Sequence, residues 1–203
     1  MGPVNLFLRS TEVINLHDPG VRARAADLRG DLTDPVAIAG RCFEWVRDHI
    51  KHSRDFDLLP VTCSASQTLE EGSGFCYPKS HLLAALLRAN GIPAGLCYQR
   101  LAVDADATRF CLHGLNAVFL PDFGWYRIDP RGNRPGIDAQ FTPPVERLAF
   151  ALTREGEFDL PGVWPDPLPI VVDALRSHAG ADELYDRLPD ITMWRASATA
   201  GLP

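Results

Sequence analysis

The segment from Gly72 to Pro93 constrains this chain more than any other. Gly72-Ser73-Gly74 reads as a turn, Phe75-Cys76-Tyr77-Pro78 follows, and Leu82, Leu83, Leu86 and Leu87 then recur at helical spacing on one face. Asn90-Gly91 predicts the end of that helix, and Pro93 prevents its continuation. A helix this apolar needs layers to cover it, and a cysteine stands at its start. Free N–H groups and the macrodipole at a helix N-terminus favour an anion, and thiolate is the nucleophilic form of cysteine. Gly72 and Gly74 suit a tight turn that leaves room for a substrate carbonyl. The plainer reading of the same placement is a small buried cysteine that fills a helix end.

The flanking sequence supplies those layers. Asp34-Pro35 predicts a helix with Asp34 as N-cap and Pro35 at its first position, and Val36, Ala39, Phe43, Val46 and Ile50 form its buried stripe. A polar helix is expected over residues 19–32, a strand or extended arm over 4–15, and loop over 51–63. Downstream, residues 94–103, 110–120 and 125–129 alternate as strands, and Pro121-Asp122-Phe123-Gly124 joins the last two into a hairpin. Residues 130–133 read as loop. The C-terminal part is expected to hold one strand, helices near 170–177 and 182–188, and a weakly structured tail. Helices first and an antiparallel sheet afterwards predict an α+β fold. We expect one domain over residues 1–203, with its core at about 36–133.

Composition narrows the function. There are 20 lysines and arginines against 26 aspartates and glutamates, a net charge of −6, and no basic run. That balance argues against nucleic acid and anionic membrane as partners. No apolar stretch reaches the roughly 20 residues of a membrane span, and the first residues do not resemble a signal peptide, so a soluble cytoplasmic protein is expected. The five cysteines, Cys42, Cys63, Cys76, Cys97 and Cys111, are odd in number and lack a CxxC pair, so most are expected to act as small buried hydrophobes.

A nucleophile needs a base, and the base needs an orienting group. His113 lies within the strand 110–120, Asp129 ends the next strand, and a hairpin returns that end towards His113. The helix from Gly74-Phe75-Cys76 through Leu82–Leu87 to Arg88-Ala89-Asn90-Gly91-Ile92-Pro93-Ala94 resembles the nucleophile helix of the transglutaminase-like superfamily. Trp125-Tyr126-Arg127-Ile128-Asp129-Pro130 resembles the family's closing strand, and residues 42–50 resemble the helix that precedes its active site. The resemblance implies a papain-like α+β core with a Cys76–His113–Asp129 triad. The chain departs from the family at His113-Gly114-Leu115, where His-Ala-Trp is usual, and at Asp129-Pro130-Arg131, where Asp-Pro-Thr is usual.

This implies attack by Cys76 on an amide, ester or thioester carbonyl of a peptide, protein or small amide substrate. Hydrolysis is expected, because water is always available and no amine site is visible. The alternatives are acyl transfer to an amine, as in a transglutaminase, and a binding module that keeps the fold without catalysis. The Cys76 N–H is the natural oxyanion donor, with Gln67 or Trp45 as the second. No cofactor or metal is expected. Zinc held by Cys76, Cys111, His113 and Asp129 would lack closely paired ligands, and no calcium loop is present. Sequence leaves the oligomeric state open.

Three further groups carry two readings each. Lys79 is a solvated lysine or a cation supporting the thiolate. Arg127, Arg131 and Arg134 are a solvated loop or an arginine rim for an acidic substrate. His49, His52 and His81 are surface or supporting groups. The aromatics Phe119, Phe123, Trp125 and Tyr126 are expected to pack the hairpin.

Overall fold

A computed structural model describes residues 4–192. A short 3-10 helix (Val4–Leu8) stands where a strand or arm was expected, followed by α1 (Pro19–Arg29) and α2 (Pro35–His49). Both helices begin as their sequences require. Asp18 accepts from the N–H groups of Gly20 and Val21, Asp34 from those of Val36 and Ala37, and a proline follows each cap. Such a cap contributes about 1 kcal/mol.

The segment read as loop after α2 is more ordered than expected. It holds a two-residue strand β1 (Lys51–His52) and one helical turn, α3 (Ser53–Phe56). A helix with no sequence expectation, α4 (Ala65–Glu71), follows and starts with a capping box between Ser64 and Gln67. Strand β2 (Ser73–Gly74) then pairs in parallel with β1 and sets His52 opposite Gly74, two residues before Cys76.

Helix α5 (Cys76–Ala89) is the centre of the fold. It packs against α1, α2 and α4 as well as β3 and β4, and every residue from Cys76 to Arg88 is buried. The leucine stripe is therefore covered on one side by helices while the opposite side meets the sheet. That sheet is antiparallel in the order β5-β4-β3-β6, from β3 (Ala94–Ala102), β4 (Phe110–Leu120), β5 (Gly124–Ile128) and β6 (Phe158–Asp159). Asn116 joins the layers by donating from Nδ2 to the carbonyls of Ser80 on α5 (2.9 Å) and Gly95 on β3 (3.2 Å). Phe119 and Trp125 pack edge to face at 5.6 Å across the hairpin, while Phe123 at its tip stays exposed.

The C-terminal stretch folds back over the sheet. Trp164 exchanges backbone hydrogen bonds with Leu96, and Leu160 donates to the Tyr98 carbonyl. Helices α6 (Pro169–Ser177) and α7 (Ala181–Asp186) then fall close to their expected places. The expected tail lies largely outside the described residues. Among the described residues, no helix is long and apolar enough to cross a membrane. All five cysteines are free thiols, four of them buried and Cys111 half-buried.

Candidate active site

Cys76 is the first residue of α5, and its N-cap Phe75 offers no side-chain hydrogen bond, unlike the capped starts of α1, α2 and α4. The first-turn N–H groups therefore face whatever approaches the thiol. Strand β4 comes unusually close here. A Cβ on Gly114 would lie 2.7 Å from Cδ1 of Tyr77, so only glycine lets the strand pass. The Gly114 N–H consequently points at the Cys76 sulfur at 3.5 Å, a further donor that favours negative charge on it. The departure from the usual alanine thus has a steric cause.

His113 and Asp129 meet as the hairpin expectation required. The β4–β5 register pairs Asn116 with Ile128, so Asp129 leaves the strand across from the His113–Leu115 stretch. His113 Nε2 lies 2.7 Å from Asp129 Oδ2. The imidazole also hydrogen-bonds Cys76, and with Nε2 engaged, Nδ1 is the nitrogen that faces the thiol. Burial opposes charge on this ring, but the Asp129 carboxylate and the Cys76 sulfur outweigh it and raise its pKa to about 10. Asp129 is fully buried, accepts the N–H of Arg131 at Oδ1 and that of Ala149 at Oδ2, and is held below the ordinary carboxylate range. Burial works against this shift, and the charge of His113 with these hydrogen bonds prevails.

Cys76 and His113 border a cleft of about 650 Å³, with Asp129 buried behind the imidazole. Phe150 packs edge-on against the His113 ring at 4.9 Å and forms one wall. His52 forms another: it is buried, stacks edge-on against Phe75 at 5.6 Å, and among the described residues has no hydrogen-bond partner at Nδ1. Burial first, and then the charge of Arg131, hold its pKa well below the ordinary value, so the ring is neutral. Asp55 lies 3.9 Å from His52 and takes a two-pronged ion pair from Arg131 at 2.6 and 2.8 Å.

Several expectations require correction. Lys79 is neither solvated nor beside the sulfur. It is buried and donates to the carbonyls of Val46 (3.1 Å), Arg47 (3.4 Å) and Ile50, closing the C-terminus of α2. Burial, with Arg131 next, lowers its pKa to about 7. Gln67 belongs to the α4 cap, and Trp45 stacks on His49 and under Arg24, so neither borders the cleft. Arg127 pairs with Glu146 and Asp159 away from the cleft, which leaves Arg131 and Arg134 of the expected rim. His81 is fully buried and hydrogen-bonds the Cys63 carbonyl. Sequence reasoning set His52 aside and had no view of Asp55, Ala149 or Phe150. No periodic pattern in the sequence around His52 marks it as part of the cleft.

Comparison with known proteins agrees with this architecture. A proposed cysteine protease from Cytophaga hutchinsonii superposes with a TM-score of 0.51 at 20% identity, over 64% of this chain and 43% of that one. The periplasmic domain of TgpA from Pseudomonas aeruginosa gives a TM-score of 0.47 at 24% identity, over 61% of this chain and 45% of that one. The chain therefore spans less than half the length of either. Among curated proteins no match is found. The sequence family described as the transglutaminase-like superfamily matches residues 22–130, more than half of the chain. The chain belongs to the transglutaminase-like superfamily, a placement that supports a cysteine-dependent enzyme.

Proposed function

We propose that the protein is a cysteine-dependent acyl-transfer enzyme that hydrolyses an amide or peptide bond through a thioester at Cys76, with His113 and Asp129 completing the triad. The observation that carries this reading is an imidazole hydrogen-bonded on one side to a buried carboxylate and on the other to a thiol at a helix N-terminus, bordering an open cleft.

The chemistry follows from the donors present. The Cys76 thiolate bonds to the carbonyl carbon, and the carbonyl π pair moves onto oxygen. The Cys76 N–H meets that oxyanion, and the neutral His52 ring lines the same cleft. Collapse breaks the carbon–nitrogen bond, and the amine leaves with the proton from His113 Nδ1. Water then attacks the thioester while His113 takes back one proton. Collapse expels the thiolate and restores the ion pair. Throughout, Asp129 fixes the ring by holding Nε2–H and stabilises its charged form.

Alkylation by iodoacetamide followed by mass spectrometric mapping tests the thiol, and peptide, amide and thioester libraries test the reaction with and without an added primary amine. The reading expects selective modification of Cys76 and release of free acid that Cys76→Ala abolishes. Equal reactivity of all five cysteines, or hydrolysis that survives Cys76→Ala, would overturn it. Product carrying the amine in place of free acid would assign the amine-transfer alternative.

A further inference from the structure

The charge around the cleft is opposite in sign to that of the whole protein. The chain carries −6, yet four arginines, Arg54, Arg131, Arg134 and Arg154, line the cleft against two carboxylates, Asp55 and Glu157. The triad, a thiolate and the Asp129 carboxylate against one imidazolium, takes away one charge and leaves the balance positive, and His52 is neutral. Partners decide which of the four cations are available. Arg54 pairs with Asp182 at 2.6 Å, and Arg131 is buried and engages both oxygens of Asp55.

Arg134 and Arg154 are held differently. Among the described residues, the Arg134 side chain reaches one carboxylate, that of Asp55 at 3.6 Å, which Arg131 already occupies, and it is 53% exposed. Arg154 is exposed and donates to two neutral carbonyls, those of Asp104 (2.5 Å) and Ala105 (3.2 Å). The nearby Glu157 carboxylate is occupied chiefly by backbone donors, accepting the N–H groups of Ala102 (3.1 Å), Thr153 (2.8 Å) and Arg154 (2.9 Å), and the Arg154 guanidinium acts on it only through space. Two guanidinium groups thus stand at the mouth of a concave site with their positive charge weakly compensated, where field lines are focused on entering molecules.

We propose that the cleft selects acyl substrates bearing a carboxylate next to the scissile bond, as in an acidic peptide, and that Arg134 and Arg154 receive that carboxylate. This rests on the thiol-enzyme reading of the same cleft. The other walls are apolar, from Leu101, Val103, Leu112, Phe150 and Leu188, so the remainder of the ligand would be aliphatic or aromatic. A guanidinium binds a carboxylate in a planar two-pronged geometry, which places the neighbouring bond as well as attracting it.

The test needs no substrate. The rates at which iodoacetate, a carboxylate, and iodoacetamide, its neutral analogue, alkylate Cys76 are measured by mass spectrometry at low and high salt. The proteins compared are the wild type, Arg134→Gln, Arg154→Gln and the double variant. Dividing one rate by the other removes effects on the thiol itself. We expect the iodoacetate-to-iodoacetamide ratio to fall about 3- to 10-fold in the double variant, with intermediate values for the single ones, and to fall with salt in the wild type. A double-variant ratio equal to that of the wild type at low salt would overturn the proposal. If iodoacetamide itself fails to single out Cys76, the thiol-enzyme reading fails, and this inference falls with it for that separate reason.

Discussion

Two basic side chains are buried near the start of α5, Lys79 on its first turn and His113 on the facing strand, and their surroundings treat them in opposite ways. His113 faces the Asp129 carboxylate at 2.7 Å, and its pKa rises to about 10. Lys79 hydrogen-bonds backbone carbonyls at the end of α2, with Asp129, Asp48 and Asp55 acting on it only from beyond contact, and burial with the charge of Arg131 brings its pKa down to about 7. Burial penalises both charges. A full countercharge in contact overcomes that penalty, whereas the partial charges of a helix C-terminus, with Arg131 opposing, do not. A buried cation therefore needs a dedicated anion before it can serve as a charged group in chemistry. Without one it works as a hydrogen-bond donor that holds structure.

The comparison breaks most readily at His113. Its replacement by alanine should lower kcat/KM by about 10³-fold or more. A loss below tenfold in steady-state assays would mean that the imidazole does no chemistry. Removing the countercharge is the sharper experiment. Asp129→Asn should bring the imidazole titration, followed by NMR, down from about 10, and activity should fall by about 10²- to 10⁴-fold. A ring that still titrates near 10 would show that Asp129 is not the cause.

On the structural side, Lys79→Met leaves three carbonyls without their donor and should destabilise the fold by about 1–3 kcal/mol in urea unfolding. The pH dependence carries the sign of each shift. The folded pKa of His113 lies above its unfolded value, so its contribution is complete below pH about 6.5 and is lost as pH rises through about 10. The folded pKa of Lys79 lies below its unfolded value, so stability is lost as pH falls from about 10.4 through about 7. The two slopes oppose one another between about pH 7 and 10. Lys79→Met should expose a declining stability across that window and His113→Ala a rising one, and identical slopes in both variants would contradict the contrast. Gly114→Ala, where the new methyl meets the buried Tyr77 ring, should cost about 1–3 kcal/mol and slow the alkylation of Cys76.

Much of this was legible in the sequence because the signals were local. Asp34-Pro35, the leucine helix ending at Asn90-Gly91 and the hairpin turn each carry their own capping or turn chemistry, and they alone set Cys76, His113 and Asp129 on elements that converge. What stayed hidden depends on distant partners. Lys79 looks solvated until α2 ends against it. Arg127, Arg131 and Arg134 look alike until Glu146, Asp159 and Asp55 claim them unequally. Arg154 and His52 reach the cleft from segments with no periodic pattern to place them.

The part of the chain that matches the family stops at residue 130, whereas one of the N–H groups that steady Asp129 comes from Ala149, and the ring that shields His113 comes from Phe150. Transplanting residues 22–130 into another scaffold would carry over all three side chains of the proposed triad yet strip away their backing. Where the family's segment ends and where the support of that site ends are different borders in this molecule, and any attempt to minimise or hybridise it must respect the outer one.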